Sequence, residues 1–376
     1  MKERLFSEGQ LIKERLAEIS DYIYRNPELG NEEYKAAEAL TSFLKEHNFS
    51  VESNIAGMET AFKATFESGK PGLTIGYLCE YDALPKIGHG CGHNMIGVMS
   101  AGAGVVLSKV LSEIGGKVIV YGTPAEETNG GKVILTEAGV FDELDAAMIV
   151  HPDGETRASG SSSALYPLRF IYKGKTAHAA SCPEKGINAL NSVIQLFNGI
   201  DALRQHVTPD VRMHGIITKG GVAANIVPDE AVADFYFRAS TKERVTEVVE
   251  KVKKIAEGAA LMTGATLEME RYELPYDDLK TNETLSEMFN ENLRALGITD
   301  IKEAKTTGGS SDIGNVSHVA PTIHPYIGIT DCPMVGHSVE MAKATTTSKA
   351  HDRLLIAALA MAYTGYDIIN NGKSLR

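Results

Sequence analysis

Three short apolar runs, Leu73–Leu78, Lys117–Gly122 and Ala146–Val150, constrain this chain more than any other feature. Each has the length of a buried strand, and helical stretches at Gly92–Leu111, rich in small residues, and Gly131–Ala138 separate them. Strand, helix, strand, helix, strand in that order builds an α/β layer with a mixed, mainly parallel sheet sandwiched by helices. Upstream, Asn31–Asn48 reads as an amphipathic helix through Ala36, Leu40, Phe43 and Leu44, and Val51–Phe66 as strand. Downstream, a helix from Thr281 through Leu285, Met288, Phe289, Leu293 and Leu296 stops at Gly297, and an Ala- and Leu-rich helix near 346–365 closes the chain.

Between these parts the alternation takes another form. Strands are expected at 164–172, 211–219, 230–238 and 265–271, with helices at 186–205 and 241–261. The order β-α-β-β-α-β is the ferredoxin-like α+β arrangement. The predicted organisation is therefore a discontinuous first domain, 1–162 and 276–376, interrupted by a smaller one over 163–275, with Ser159–Ser163 as the linker into it. No fixed-period repeat or low-complexity tract is present.

In open α/β sheets, ligands bind beyond the carboxyl ends of the strands. Here those positions carry metal-ligand residue types. Cys79, Glu80, Tyr81 and Asp82 follow the first run, with His89, Cys91 and His93 just beyond in Gly88-His-Gly-Cys-Gly-His-Asn94. Glu126 and Glu127 follow the second, His151 the third, and His337 lies far downstream. A lone His or a Glu pair is usually a satisfied core group or a solvated face, but three successive strand ends share one crevice. Cys91 and His93 can turn thiolate and imidazole toward one point, a donor set suiting Zn and, with a carboxylate, Mn. The candidates exceed one tetrahedral site and point to two ions. Adjacent Glu126 and Glu127 can split roles, one carboxylate binding metal while its neighbour serves as general base; the bland alternative is an acidic helix start.

Lys plus Arg number 37 against 49 Asp plus Glu, a formal net charge of −12, so nucleic-acid and anionic-membrane partners are not expected. The first residues alternate charge with apolar side chains at helical spacing and lack the apolar core of a signal peptide. No run approaches the roughly 18 consecutive apolar residues of a membrane span, and 4 Cys are too few for a disulfide scaffold. A soluble, cytoplasmic protein is the expectation.

The strings Cys79-Glu-Tyr-Asp-Ala-Leu-Pro85, Gly90-Cys-Gly-His-Asn94, Pro124-Ala-Glu-Glu127, His151-Pro, Gly174-Lys-Thr-Ala-His178-Ala and Gly308-Gly-Ser-Ser-Asp312 stand in this order along nearly the whole chain. Together they resemble the metallo-amidohydrolase and peptidase family of aminoacylases and glutamate carboxypeptidases, in the branch of hippurate, auxin-conjugate and p-aminobenzoyl-glutamate hydrolases. The resemblance implies Cys91, His93, Glu127, His151 and His337 as metal ligands, Glu126 as general base and acid, and two divalent ions, Mn or Zn. It also implies an inserted lid domain through which the chain forms a homodimer. His178 falls where the family places an imidazole that contacts substrate or oxyanion, and Asn225 where it binds the substrate carboxylate. Arg238, ending a predicted strand, is a second candidate clamp because its fork suits a carboxylate, with a structural ion pair as the alternative. Asp82, His89 and Glu80 are candidates for the layer behind the ligands. Two departures stand out: Glu80 occupies a position where many members have a ligating His, and Asn94 one where this branch usually has Asp.

The expected activity is metal-dependent cleavage of the amide in N-acyl amino acids, aminobenzoyl-glutamate-like conjugates or small dipeptides, by a metal-activated water with a Glu general base. Two alternatives remain at this level. One is a catalytically silent dimer that binds acylated amino acids as a sensor. The other is a thiol hydrolase using Cys91 and a His, which leaves Glu127, His151 and His337 without a task.

Overall fold

Helix α1 (Lys2–Arg25) turns Leu5, Ile12, Leu16, Ile19 and Ile23 inward at helical spacing, and α2 (Tyr34–Glu46) does the same with Ala36, Leu40, Phe43 and Leu44. The computed structural model describes residues 1–306, 309–372 and 375. Where one strand was expected over Val51–Phe66, the chain forms an antiparallel hairpin of β1 (Ser50–Ser53) and β2 (Phe62–Glu67). The reversal is local: Asn54, Ala56 and Gly57 all take positive φ, conformations that end a strand.

The apolar runs then appear as β3 (Thr74–Cys79), α3 (His93–Ile114) follows, and β4 (Lys117–Gly122) pairs parallel to β3. Both strands are buried along nearly their whole length, as strands covered on both faces must be. Helix α3 is long and apolar enough to cross a membrane by length and composition, but 89% of that apolar window is buried inside the protein. It packs on β3 and β4 and is itself covered by α1. Glycine makes this approach possible: a Cβ at Gly104 would sit 2.4 Å from Val120 Cγ2.

Helix α4 (Gly131–Glu137) leads to β5 (Ala146–Met148), shorter than expected. The chain leaves the sheet at Ile149 and Val150, and His151 itself opens a new strand, β6 (His151–Asp153). The inserted segment follows with β7 (Ala164–Lys173), α5 (Ala189–Leu203), β8 (Arg212–Lys219), β9 (Glu230–Ala239), α6 (Lys242–Thr263) and β10 (Thr266–Glu270). Side-chain caps from Asn188 and Thr241 start its two helices, and Gly264 in the left-handed region ends the second. Its four strands form an antiparallel sheet in the order β10-β7-β9-β8, against which α5 and α6 pack.

The chain returns with α7 (Glu283–Ala295), α8 (Ile313–Ser317), β11 (Thr322–Ile323), β12 (Tyr326–Gly328), α9 (Val339–Ala344) and α10 (Ser348–Asn371). Strand β11 extends the main sheet to β1-β2-β4-β3-β5-β11, parallel from β4 to β11, and β12 pairs parallel with β6. By internal contacts the chain divides into two compact units, Met1–Ser161 with Leu279–Thr307 and Ser311–Arg376, and Ser162–Asp278 with Gly308–Ser310. Each has its own apolar core. The architecture is thus mixed α/β with a mainly parallel sheet, plus a ferredoxin-like antiparallel unit.

Candidate metal centre

The carboxyl end of β3 delivers Glu80 and Asp82 into the interior, where each needs partners to offset lost hydration. Asp82 takes two: Oδ1 accepts from His93 Nδ1 at 2.9 Å and Oδ2 from the Glu127 N–H at 2.9 Å. One carboxylate therefore fixes the tautomer of His93, leaving Nε2 as its ligand atom, and also ties down the loop after β4. Burial alone would raise the Asp82 carboxyl, but His93 outweighs it and holds the group below its ordinary value.

Gly92, at φ 84, turns the chain from Cys91 into α3, and a Cβ there would lie 2.4 Å from Pro152 Cγ. The turn sets Cys91 Sγ 3.3 Å from His151 Nε2. His151 Nδ1 lies 2.7 Å from the Pro152 carbonyl, to which it donates, so Nε2 presents its lone pair. Glu127 Oε1 lies 3.2 Å from His337 Nε2 and 3.9 Å from His93 Nε2. Although buried, that oxygen accepts no hydrogen bond among the described residues.

The ligand atoms of Cys91, His93 and His151 fall within 4.8 Å of one another, as do those of Cys91, Glu127 and His337, and those of His93, Glu126 and Glu127. The first two groups overlap at Cys91. A thiolate shared between two sets of imidazole and carboxylate donors, with a bare carboxylate oxygen facing two imidazoles, is a donor arrangement that fits two divalent transition ions.

Glu126 stands in this cluster, where burial, then Glu80 and Asp312, push its carboxyl well above the ordinary range. A carboxyl so placed is suited to taking and returning a proton. Burial pushes the Cys91 thiol up to about 12. A protein without metal would hold Cys91 as thiol, which removes the support for a thiolate nucleophile.

Glu80 is committed elsewhere. Its Oε1 lies 2.6 Å from Lys132 Nζ, which is also 2.7 Å from Asp312 Oδ1, while Glu80 Oε2 is 3.5 Å from His93 Nε2. All three groups are buried. Burial would raise Glu80, yet Lys132, His93 and His324 together hold it at about 2. His89 is buried and hydrogen-bonds none of the ligands; burial, then His93, keeps its imidazole at about 4 and hence neutral. Asn94 donates to Ser20 Oγ at 3.1 Å and Thr345 Oγ1 at 3.2 Å, so it ties α3 to its neighbours rather than reaching the ligands.

The remaining candidates lie in the second unit. His178 is exposed and its Nδ1 lies 3.3 Å from the N–H groups of Ala180 and Ser181, which leaves the proton on Nε2 in the neutral ring. Asn225 is its neighbour across a backbone hydrogen bond from Ala179 N–H of 3.0 Å. Arg238 donates to Ser310 Oγ at 2.8 Å and lies over the Tyr236 ring; no carboxylate pairs with it among the described residues.

Four residues of the centre escaped the sequence reading. Lys132 reads as an ordinary solvated lysine, and Asp312 closes a Gly-rich string whose role was open and whose Gly308 lies outside the described residues. His324, buried beside His151 with ring centroids 5.6 Å apart, follows a two-residue strand too short to notice. Glu33 reads as a solvated position near the start of an amphipathic helix. Only the adjacency of Gly130-Gly131-Lys132 to Glu126-Glu127 offered a signal.

Strand ends that gather thiolate, imidazole and carboxylate around one buried acid, in a chain that also carries a ferredoxin-like unit, define the metallo-amidohydrolase class. Residues 167–262 match the model of the peptidase dimerisation domain. The chain is 38% identical to mouse Xaa-Arg dipeptidase over 95% of this chain and 86% of the relative. It is 30% identical to a p-aminobenzoyl-glutamate hydrolase chain of Escherichia coli over 94% and 88%. A dinuclear metal-binding peptidase of the M20 family from Bacillus subtilis shares the fold, with a TM-score of 0.72 at 20% identity over 96% of this chain and 99% of that one. The chain belongs to this M20 family of peptidases and amidohydrolases, and it is a metal-dependent amidohydrolase. The silent-sensor alternative finds no support among these relatives.

Proposed function

We propose that this protein is a dinuclear dipeptidase of the family whose preferred substrates are dipeptides with a cationic C-terminal residue. The two overlapping donor sets, Cys91/His93/His151 and Cys91/Glu127/His337, with Glu126 beside them, carry the reading. Bound at these donors, Mn or Zn supplies Lewis acidity and a nucleophilic water at neutral pH. Glu126 takes the proton of the attacking water and delivers it to the leaving nitrogen, while Glu127 stays with the ligands. Within the second unit, the Nε2–H of His178 is the candidate donor to an oxyanion, and Asn225 and Arg238 are the candidate partners of a substrate carboxylate. The cationic preference is supported by the higher identity to the Xaa-Arg dipeptidase than to the aminobenzoyl-glutamate hydrolase, and by a net charge of −12 that attracts cations at long range. A thiolate ligand that must stay reduced suits the cytoplasm. The test is hydrolysis of Xaa-Arg and Xaa-Lys dipeptides beside hippurate and p-aminobenzoyl-glutamate, after chelation and after re-addition of Mn or Zn. Metal-restored cleavage led by the basic dipeptides is expected; activity confined to p-aminobenzoyl-glutamate would overturn the substrate assignment, and cleavage indifferent to chelation the metal reading.

The second unit supports a homodimer. Strand β8 is an edge of its sheet and leaves Ile216 65% and Ile217 44% exposed, an apolar edge that a second copy covers by strand pairing. Ile216→Lys is expected to shift the protein from dimer to monomer in size-exclusion chromatography with light scattering, with the circular dichroism unchanged. A dimer that persists in this variant at micromolar concentration would place the interface elsewhere.

A further inference from the structure

The turn that presents Glu126 and Glu127 is held by a segment remote in sequence. Ala125, just before the pair, sits at φ 63, a left-handed conformation unfavourable to a residue with a Cβ. Its carbonyl closes the turn by accepting from Asn129 at 3.1 Å and Gly130 at 2.8 Å. Its N–H points the other way, to Glu33 Oε1 at 2.8 Å, and the second oxygen of Glu33 accepts from Thr60 Oγ1 at 2.8 Å. Glu33 is fully buried. The segment leading to it lies directly on the turn, since a Cβ at Gly30 would come within 2.1 Å of Thr128 Oγ1 and 3.0 Å of Ala125 Cα. The same segment also grips the other ligand-bearing loop, because Glu28 O accepts from the N–H of Ala83, next to Asp82, at 2.8 Å.

We infer that Glu33 is a positioning residue for catalysis, and that the Glu28–Glu33 segment is a strap holding the loops after β3 and β4 in register so that Glu126 meets the reacting atoms. The inference rests on Glu126 being the general base. A Gln at position 33 keeps the geometry: its oxygen accepts from Ala125, and its amide donates to Thr60 Oγ1, whose hydroxyl can reverse. An Ala removes both bonds and leaves the strained Ala125 peptide unheld.

The experiment compares Glu33→Ala and Glu33→Gln with Glu126→Gln in the metal-loaded enzyme, measuring kcat, KM and metal content for each. Glu33→Ala is expected to lose kcat by about 10²-fold, the effect of a misplacement near 1 Å, with KM within about threefold and metal retained. Glu33→Gln is expected to keep most of the wild-type kcat. Unchanged kcat in Glu33→Ala with an inactive Glu126→Gln would sink the strap alone, whereas an active Glu126→Gln would sink the reading of the base itself. Equal damage in both Glu33 variants, or loss of bound metal, would also reject positioning. If Glu33→Ala does not fold, Thr60→Val decides: it removes only the hydroxyl that orients Glu33, and a several-fold fall in kcat at constant KM and metal content is expected, an unchanged kcat overturning the proposal.

Discussion

Glu126→Gln should leave the protein folded and loaded with metal but without turnover. Gln keeps the volume and the polar contacts of the side chain while removing the group proposed to accept and return a proton. General-base catalysis contributes about 10²–10⁴-fold, and this residue is asked to serve both steps, so a fall in kcat on the order of 10⁴-fold or more is expected. No neighbour can take over. Glu127 has its N–H tied to Asp82 and its Oε1 between the imidazoles of His337 and His93, and Glu80 is paired with Lys132. Elemental analysis of the variant beside its kinetics makes the check: metal retained with turnover lost is the signature of the base. Turnover within tenfold of wild type would remove Glu126 from the role, and lost metal would make it a ligand.

The second large effect is on stability. Lys132 Nζ lies between the carboxylates of Glu80 and Asp312, its backbone N–H also donates to Asp312 Oδ2 at 3.0 Å, and these side chains are between 0% and 2% exposed. Lys132→Met preserves length and removes the charge, leaving two buried carboxylates without the ammonium between them and only the His93 imidazole, 3.5 Å from Glu80, to offset them. Breaking a buried pair in this way costs about 3–5 kcal/mol, on the order of 10 °C in the melting temperature of a unit this size. Lys132→Met combined with Glu80→Gln and Asp312→Asn should recover much of that loss, because no isolated charge is then buried. Thermal melts of the metal-free proteins, followed by circular dichroism, provide the comparison. A single variant that melts within about 2 °C of wild type would show that the carboxylates relax to solvent or share a proton at little cost.

The two positions differ in how they could be found. Glu126 could be singled out as a candidate because everything that marks it is local: an apolar run to make β4, then a pair of carboxylates at the strand's carboxyl end, where a parallel sheet opens its crevice. The same reasoning reached Cys91, His93, Glu127 and His151 as candidates, since they follow β3, β4 and β5 along the chain, with His93 opening α3 and His151 opening β6. His337, far from any such strand, was assigned through the family resemblance, and the structure brings it to Glu127. Local signals misled where two competed. Val51–Phe66 has strand composition throughout, yet the positive-φ residues Asn54, Ala56 and Gly57 break it into a hairpin.

By itself, then, the sequence determined the strand and helix order, the ferredoxin-like insertion and the donor types at the strand ends, because periodicity and turn chemistry act over a few residues. Only the tertiary structure decided which polar groups meet behind the ligands. Lys132 finds Asp312 across 180 residues and Ala125 finds Glu33 across 92. A buried Lys or Glu carries no mark in the sequence that separates it from a solvated one. Its partner is selected by the free-energy penalty of burying a charge unpaired, and that penalty exists only once the chain has closed around it.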